Sequence, residues 1–168
     1  MLSPHLIRQI EQHAEKLAVG LADELLHNPR TTSLRRIPRD GLIGNVREFY
    51  VHLGDWLAGR TDADVEHAFG SRGRDRYLEG IPLDEMVWTM ILIKRQLRQH
   101  THQVSGLTSA AEIHSEMEVD AMIGAFFDKV IYAMVRGYEG ARQNGEHPHR
   151  QAISVLGDTK PGNVGWIP

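Results

Sequence analysis

At 168 residues, with 41% hydrophobic and 24% charged residues, the chain has the length and composition of one soluble globular domain, not of a disordered or fibrous protein. It has no cysteine, which excludes disulfides, thiolate metal sites and cysteine nucleophiles. The formal net charge of −3 and the pI near 6.4 give no positive field for nucleic acid, and no apolar stretch is long enough to span a membrane, so neither partner is expected.

Three helices are predicted in the first half of the chain, because apolar side chains recur there at intervals of three and four residues. The first covers residues 4–27 and ends at an Asn-Pro pair, the second covers about 40–58, and the third about 62–79. Gly70 and Gly73 lie inside the third predicted helix. Glycine lowers helix stability by about 1 kcal/mol relative to alanine, so we expect these residues to weaken or break that helix.

Two longer helices are predicted in the second half. Pro82 suits the first position of a helix over 82–104. Ser109 with Glu112 has the form of a capping box, which begins a helix over 109–144. At 1.5 Å per residue this last helix would be roughly 50 Å long. The predicted fold is therefore all-α, with about five main helices.

Each of the two long helices carries more than one apolar face, which exceeds what the core of one small domain usually buries. We therefore predict a homodimer in which these helices form a four-helix seam between subunits. The predicted seam consists of Met86, Met90, Ile93, Val119, Met122, Phe126 and Val130. The predicted core of the domain, residues 1–144, contains Leu17, Leu21, Phe49, Leu53, Phe69, Met90, Leu97, Phe127 and Ile131. Residues 145–168 lack helical periodicity and are predicted to form a flexible tail or linker.

Ten histidines raise the question of a metal site, but their spacing does not form one. A di-iron bundle needs two Glu-x-x-His motifs, and only Glu24-Leu-Leu-His27 has that form. His114 and Glu118 are four apart on a helix but lack further ligands. His100 and His102 are two apart, so on a helix they face away from each other and cannot share a metal unless another element contributes a ligand. The motifs of nucleophile elbows, phosphate loops and dinucleotide sites are missing as well. We therefore expect no metal ligands and no catalytic residues, with a bundle enzyme using the Glu24 motif as a distant alternative.

The segment from Phe69 to His100 has a more specific pattern. A glycine-containing helix with Arg76 ends at the turn Gly80-Ile-Pro-Leu83, and an apolar helix follows that ends in Ile-Leu-Ile-Lys-Arg-Gln-Leu97. This order resembles the N-terminal sensory domains of stressosome RsbR-type regulators and related sensor histidine kinases. The resemblance implies a globin-like helical fold without haem, a dimer formed by the last two long helices, and a downstream signalling domain or protein.

The expected function is that of a non-enzymatic, cytoplasmic sensor that binds a small ligand or a partner protein and relays this through its long C-terminal helices. A small ligand would occupy an aromatic cavity between the second helix and the two long helices, although plain core packing explains the same residues. The candidate lining residues are Phe49, Leu53, Trp56, Tyr77, Trp88 and Phe127. No cofactor is expected. A haem-binding gas sensor, with His67 or Tyr77 as the iron ligand, is the alternative.

Overall fold

The structure, a computed structural model, describes residues 4–104 and 109–148. In these ranges the chain forms six α-helices and no β-strand, which confirms the all-α prediction. A 3₁₀ turn over Thr32–Arg36 precedes the third helix, and a π-helical turn over Asp55–Gly59 follows it. Of the tail predicted over residues 145–168, only residues 145–148 are described, and the rest lies outside the described residues. The α-helices are α1 (Pro4–Gln12), α2 (Ala14–His27), α3 (Arg39–Val51), α4 (Asp62–Leu78), α5 (Leu83–Val104) and α6 (Ala110–Gln143).

The first predicted helix is two helices, α1 and α2, and the break lies at His13. His13 has φ −97° and ψ 11°, away from α-helical values. Its N–H still bonds to the carbonyl of Gln9 at 3.0 Å, and its carbonyl accepts from the Leu17 N–H at 3.0 Å. The break is therefore a kink in a nearly continuous hydrogen-bond ladder. Because the apolar side chains keep their spacing across it, periodicity alone could not reveal it.

The second predicted helix also ends early, at Val51 instead of residue 58. The π-helical turn that follows widens the backbone by one residue per turn, which is a local deviation that periodicity does not resolve. Trp56 lies in this turn and is buried, and its N–H bonds to the carbonyl of His52 at 3.2 Å. The turn thus continues the apolar face of α3 with a different backbone.

The prediction that Gly70 and Gly73 weaken or break the third helix is wrong, because α4 runs unbroken to Leu78. A Cβ atom on Gly73 would lie 1.8 Å from the backbone oxygen of Met134, and one on Gly137 would lie 1.8 Å from the backbone oxygen of Gly70. The glycines therefore allow the backbones of α4 and α6 to touch. The packing gained at this glycine contact, formed by Gly70, Gly73 and Gly137, outweighs their weak helix propensity.

The turn between α4 and α5 depends on a glycine with a left-handed backbone. Gly80 has φ +72°, a conformation that L side chains rarely adopt. The N–H of Ile81 bonds back to the carbonyl of Arg76 at 3.0 Å, which satisfies one of the last carbonyls of α4. Pro82 lies one residue before the start of α5, close to its predicted position.

The capping box predicted for the last helix is confirmed. The Ser109 hydroxyl accepts from the Glu112 N–H at 3.2 Å, and the Glu112 carboxylate accepts from the Ser109 N–H at 2.9 Å. The helix that it begins, α6, is 34 residues long and ends one residue before the predicted boundary. In the described ranges, no helix has the length and apolar character needed to cross a bilayer.

Side chains from all six helices contribute to one hydrophobic core. Eight of the nine predicted core residues are buried, and Ile131 is only partly buried against this core. The confirmed residues are Leu17, Leu21, Phe49, Leu53, Phe69, Met90, Leu97 and Phe127. The globin-like arrangement of these helices stays a prediction.

Candidate functional site

Aromatic side chains form a continuous set of ring contacts at the centre of the fold. Trp56 contacts Phe69 at 5.1 Å between ring centres, and Phe69 contacts Phe126 at 5.9 Å. Phe126 contacts Phe127 at 5.3 Å, and Phe127 contacts Phe49 at 6.1 Å. Edge-to-face pairs of this kind stabilise a fold by about 0.5–1.5 kcal/mol each beyond the burial of their area. This aromatic cluster joins α3, the π-helical turn, α4 and α6.

The six predicted ligand-binding residues fall into two groups. Phe49, Leu53, Trp56 and Phe127 are brought together in the core, where they are buried. Tyr77 and Trp88 are only partly buried and lie in separate surroundings. The structure therefore does not bring all six into one lining, and the aromatic rings of the first group pack against each other. Ligand binding at these residues stays a prediction.

Tyr77 takes part in a group of contacts that holds the end of α6 against α4. Its hydroxyl donates to the backbone oxygen of Glu146 at 2.8 Å, and its ring contacts the edge of the Tyr138 ring at 5.2 Å between centres. Arg74 forms an ion pair with the Glu146 carboxylate at 2.6 Å. We call Arg74, Tyr77, Tyr138 and Glu146 the C-terminal latch. It fixes the first residues after α6 to the C-terminal half of α4.

The latch is also connected to the turn between α4 and α5. The Tyr138 hydroxyl donates to the backbone oxygen of Ile81 at 3.0 Å. Burial and the nearby Glu139 carboxylate raise the pKa of Tyr138, so its hydroxyl keeps its proton and remains a donor near neutral pH. The last turns of α4 and α6 and the start of α5 are therefore joined by side-chain contacts at one end of the molecule.

Two arginines lie on the buried side of the last turns of α4. Arg76 is 6% exposed and forms an ion pair with Glu79. Burial, followed by the charge of Arg76, lowers the pKa of Arg72 to about 10, so the Arg72 guanidinium remains charged at neutral pH. Positive charge at a helix C-terminus is favoured by the helix dipole. The Arg76–Glu79 pair thus stabilises the end of α4 next to the Gly80 turn.

Trp88 lies at a surface groove of about 340 Å³ between α5 and the segment after α2. The Arg30 guanidinium lies 4.4 Å from the centre of its ring. In the same region the Glu85 carboxylate accepts from the Thr32 hydroxyl at 3.0 Å and from the Ser33 N–H at 2.8 Å. These bonds attach the 3₁₀ turn to α5.

Most of the residues predicted to form the dimer seam are instead buried in the hydrophobic core of the single chain. Met86, Met90, Ile93, Val119, Phe126 and Val130 are buried, and Met122 is partly buried against them. Large apolar side chains that remain exposed on α6 are Ile113, Met117 and Tyr132, at 47%, 65% and 58%. At 100° per residue, these three fall within a sector of about 100° on the helix. A dimer contact along α6 would therefore use this exposed stripe.

The single Glu-x-x-His motif is not arranged as a metal site. Glu24 accepts from Arg95 at 2.6 Å, and the Nδ1 atom of His27 lies 2.7 Å from the backbone oxygen of Asp23. Over residues 4–104 and 109–148, no group of three or more histidine or acidic side chains is placed to hold a metal ion. A closed zinc or di-iron site, which needs at least that many such ligands, is therefore not formed in that part of the chain.

One histidine pair was missed by the sequence reasoning. The Nδ1 atom of His13 lies 3.4 Å from the Nε2 atom of His100, and the two rings meet edge to face at 5.3 Å between centres. Burial, then the charges of His13 and Lys16, lower the pKa of His100. The pair is separated by 87 residues, so local spacing could not reveal it. The available signal was the position of His13 three residues after Ile10, next to the apolar stripe of α1.

A comparison with protein-family models matches residues 15–152 to the family described as the RsbT co-antagonist protein rsbRD N-terminal domain. The chain belongs to this family. The match to the RsbRD N-terminal domain covers most of the chain and confirms the resemblance found in the segment from Phe69 to His100. The searches of curated proteins and of solved structures found no match. Membership indicates a regulatory role in stress signalling.

The residues considered as haem ligands do not fit a haem in this RsbRD N-terminal domain. His67 is exposed on α4, and the Tyr77 hydroxyl donates to Glu146. Arg76 is paired with Glu79, and a guanidinium cannot ligate iron. The interior between α3, α4 and α6 is occupied by the aromatic cluster.

Proposed function

We propose that the chain is a non-enzymatic, cytoplasmic regulatory domain that senses a small ligand or a partner protein and passes its state onward through α6. The family description names a co-antagonist of RsbT, so we propose that the output acts on an RsbT-type protein, directly or through a downstream signalling domain. The observation that carries the relay is the C-terminal latch.

The latch supports a relay because it couples two elements that a ligand or partner would disturb together. The Tyr77 hydroxyl on α4 donates to the backbone oxygen of Glu146, so a displacement of α4 would also move or release the residues that follow α6. At the glycine contact the backbones of α4 and α6 touch directly, so no flexible side chain lies between them that could adjust when α4 moves. A change of core packing that moves α4 would thus reach the end of α6 through two direct contacts, the glycine contact and the latch.

The proposal includes a homodimer, since sensory relays between domains commonly depend on a change between two arrangements of subunits. The exposed stripe of Ile113, Met117 and Tyr132 on α6 offers apolar surface for such a contact. No haem takes part in the proposed mechanism. This is supported by the two candidate iron ligands, because His67 is exposed and the Tyr77 hydroxyl is hydrogen-bonded to Glu146. It is also supported by the aromatic cluster, whose rings occupy the interior.

The relay is tested by replacing Tyr77 with phenylalanine in the full chain. The Tyr77→Phe variant keeps the ring contact and loses the hydrogen bond to Glu146, so we expect faster amide hydrogen exchange around residues 143–148 and an unchanged helical circular dichroism spectrum. The matched control is Arg47→Gln, which removes one exposed side-chain contact, the ion pair with Glu15, outside both the latch and the exposed stripe on α6.

The sensing step is tested on the same two variants. A compound or an RsbT-type protein that raises the thermal stability of the wild-type chain should also slow exchange in residues 143–148. The slowing should be lost in Tyr77→Phe and retained in Arg47→Gln. The relay through the latch would be wrong if Tyr77→Phe responds as the wild type does.

A further inference from the structure

The kink between α1 and α2 and the last turns of α5 bring two imidazole rings to the same point. His13 and His100 present ring nitrogens 3.4 Å apart, with the ring planes at 85°. A tetrahedral zinc ion bound at about 2.0–2.1 Å holds two ligand nitrogens roughly 3.3–3.4 Å from each other. The observed separation therefore matches one edge of a zinc coordination tetrahedron before any backbone movement.

We propose that His13 and His100 form a binding site for one divalent transition-metal ion, with Zn²⁺ as the ion that fits. Imidazole nitrogen is a preferred ligand for zinc, and two rings held by different helices act as a chelate. Small rotations of the rings would turn both lone pairs toward the ion in place of the present contact. Water completes the remaining coordination positions.

Each ring must present an unprotonated nitrogen to ligate a metal, so protons compete with the ion for this site. Lys16 lines the same groove, and its positive charge opposes a bound cation by Coulomb repulsion.

The surroundings leave space for the ion and for its water ligands. The two rings line a surface groove of about 420 Å³ together with the side chains of Gln99 and Gln103. Gln96 also lines it, but its amide is committed to Tyr50 and to the backbone oxygen of Leu17. Gln103 follows His100 by three residues on α5, so its amide oxygen is the candidate for a third protein ligand in this proposal. A bound ion would connect the α1–α2 kink directly to α5.

The test is a titration of the chelator-treated full chain with zinc chloride, followed by calorimetry and by thermal unfolding. Other histidines are removed as competitors in a His114→Gln, His147→Gln, His149→Gln background. This background should bind one Zn²⁺ per chain and gain thermal stability on binding. His13→Gln or His100→Gln added to it should each weaken binding by more than about tenfold, because the chelate is lost. Lys16→Gln should strengthen binding several-fold.

A spectroscopic readout separates this site from loose surface binding. Cobalt chloride in place of zinc should give the strong visible absorption of tetrahedral Co²⁺ in the background chain, and Zn²⁺ should displace it. The proposal is overturned if the background chain binds no Zn²⁺ at sub-millimolar concentration. It is equally overturned if His13→Gln and His100→Gln, with unchanged circular dichroism, bind Zn²⁺ and gain stability as the background does.

Discussion

Tyr50 and Gln96 connect three helices through a buried polar contact. The Tyr50 hydroxyl donates to the Gln96 side-chain oxygen at 2.6 Å, and the Gln96 amide donates to the Leu17 backbone oxygen at 2.9 Å. Burial raises the pKa of Tyr50 far above its ordinary value, so the hydroxyl stays a neutral donor. Removing one member would leave a buried polar group unsatisfied, at a cost of about 1–3 kcal/mol.

The titration of His100 predicts that the domain loses stability in mild acid. Burial first, then the charges of His13 and Lys16, lower the pKa of His100 in the folded state. The unfolded chain keeps the ordinary histidine pKa near 6.5 and therefore binds the proton at a higher pH than the folded chain does. Stability contributed by neutral His100 is present above that pH and decreases as the pH falls through it toward the lower folded pKa.

The measurement is the melting temperature of wild type and of His100→Gln between about pH 8 and about pH 5, with the metal removed. The wild type should lose more stability than the variant as the pH falls, because glutamine cannot take up the proton. Parallel curves for the two proteins would show that His100 does not contribute.

At the scale of the helices, the glycine contact predicts opposite effects for two glycine-to-alanine changes. Gly73→Ala would place a Cβ atom 1.8 Å from the Met134 backbone oxygen, which forces α4 and α6 apart. Overpacking of this kind typically costs about 1–3 kcal/mol, and a backbone partner that cannot rotate away favours the upper end. Gly124→Ala in α6 would meet nothing within 4 Å and should gain up to about 1 kcal/mol from helix propensity.

Urea denaturation of both variants checks this prediction. The midpoint should move to lower urea for Gly73→Ala and to higher urea for Gly124→Ala, with similar slopes. A neutral effect of Gly73→Ala would mean that α4 and α6 can separate without loss, and the close contact would then carry little of the stability.

The helices themselves were predictable, because apolar spacing and caps are local properties. The capping box at Ser109 and the eight buried core residues follow from such local signals. The kink at His13 was not predictable, since the hydrogen-bond ladder and the apolar spacing continue across it. The persistence of α4 was not predictable either. Gly70 meets Gly137 on another helix, and one sequence contains no signal for which distant backbone a glycine will touch.

For the candidate sites too, features set by local sequence were predictable and features set by contacts between distant helices were not. The sequence identified Phe49, Trp56 and Phe127 as aromatic residues of one region, and the structure brings them together. It could not separate a cavity from a filled core, because that depends on the relative placement of rings from different helices. The pair of His13 and His100 was invisible for the same reason, since its two members come from elements that only the tertiary fold brings together.

At the scale of the whole molecule, the exposed stripe on α6 predicts a homodimer. Met117 is 65% exposed, so Met117→Glu should leave the monomer fold intact while placing a charge in the contact. Light scattering after size exclusion should give twice the 19.0 kDa chain mass for the wild type and a shift toward 19.0 kDa for the variant. Ala63→Glu, an exposed position on α4, is the matched control and should remain dimeric. A wild type of 19.0 kDa throughout the micromolar range would contradict the dimer.

The glycine contact has a mechanical consequence for α6. Sliding α6 along α4 would drive larger side chains into the backbone at Gly70 and Gly73, so the contact opposes translation of one helix along the other. It lies near one end of the helix, about 9 Å from Gln143 and roughly 40 Å from Ala110 at 1.5 Å per residue. Gly137 therefore divides α6 into a short arm, which ends at Gln143, and a long arm, which begins at Ala110. A tilt that moves the short arm by about 1 Å would require the long arm to move by roughly 4 Å near Ile113 in the opposite direction, and the side chains that this arm buries in the core, such as Val119 and Phe127, would have to repack with it.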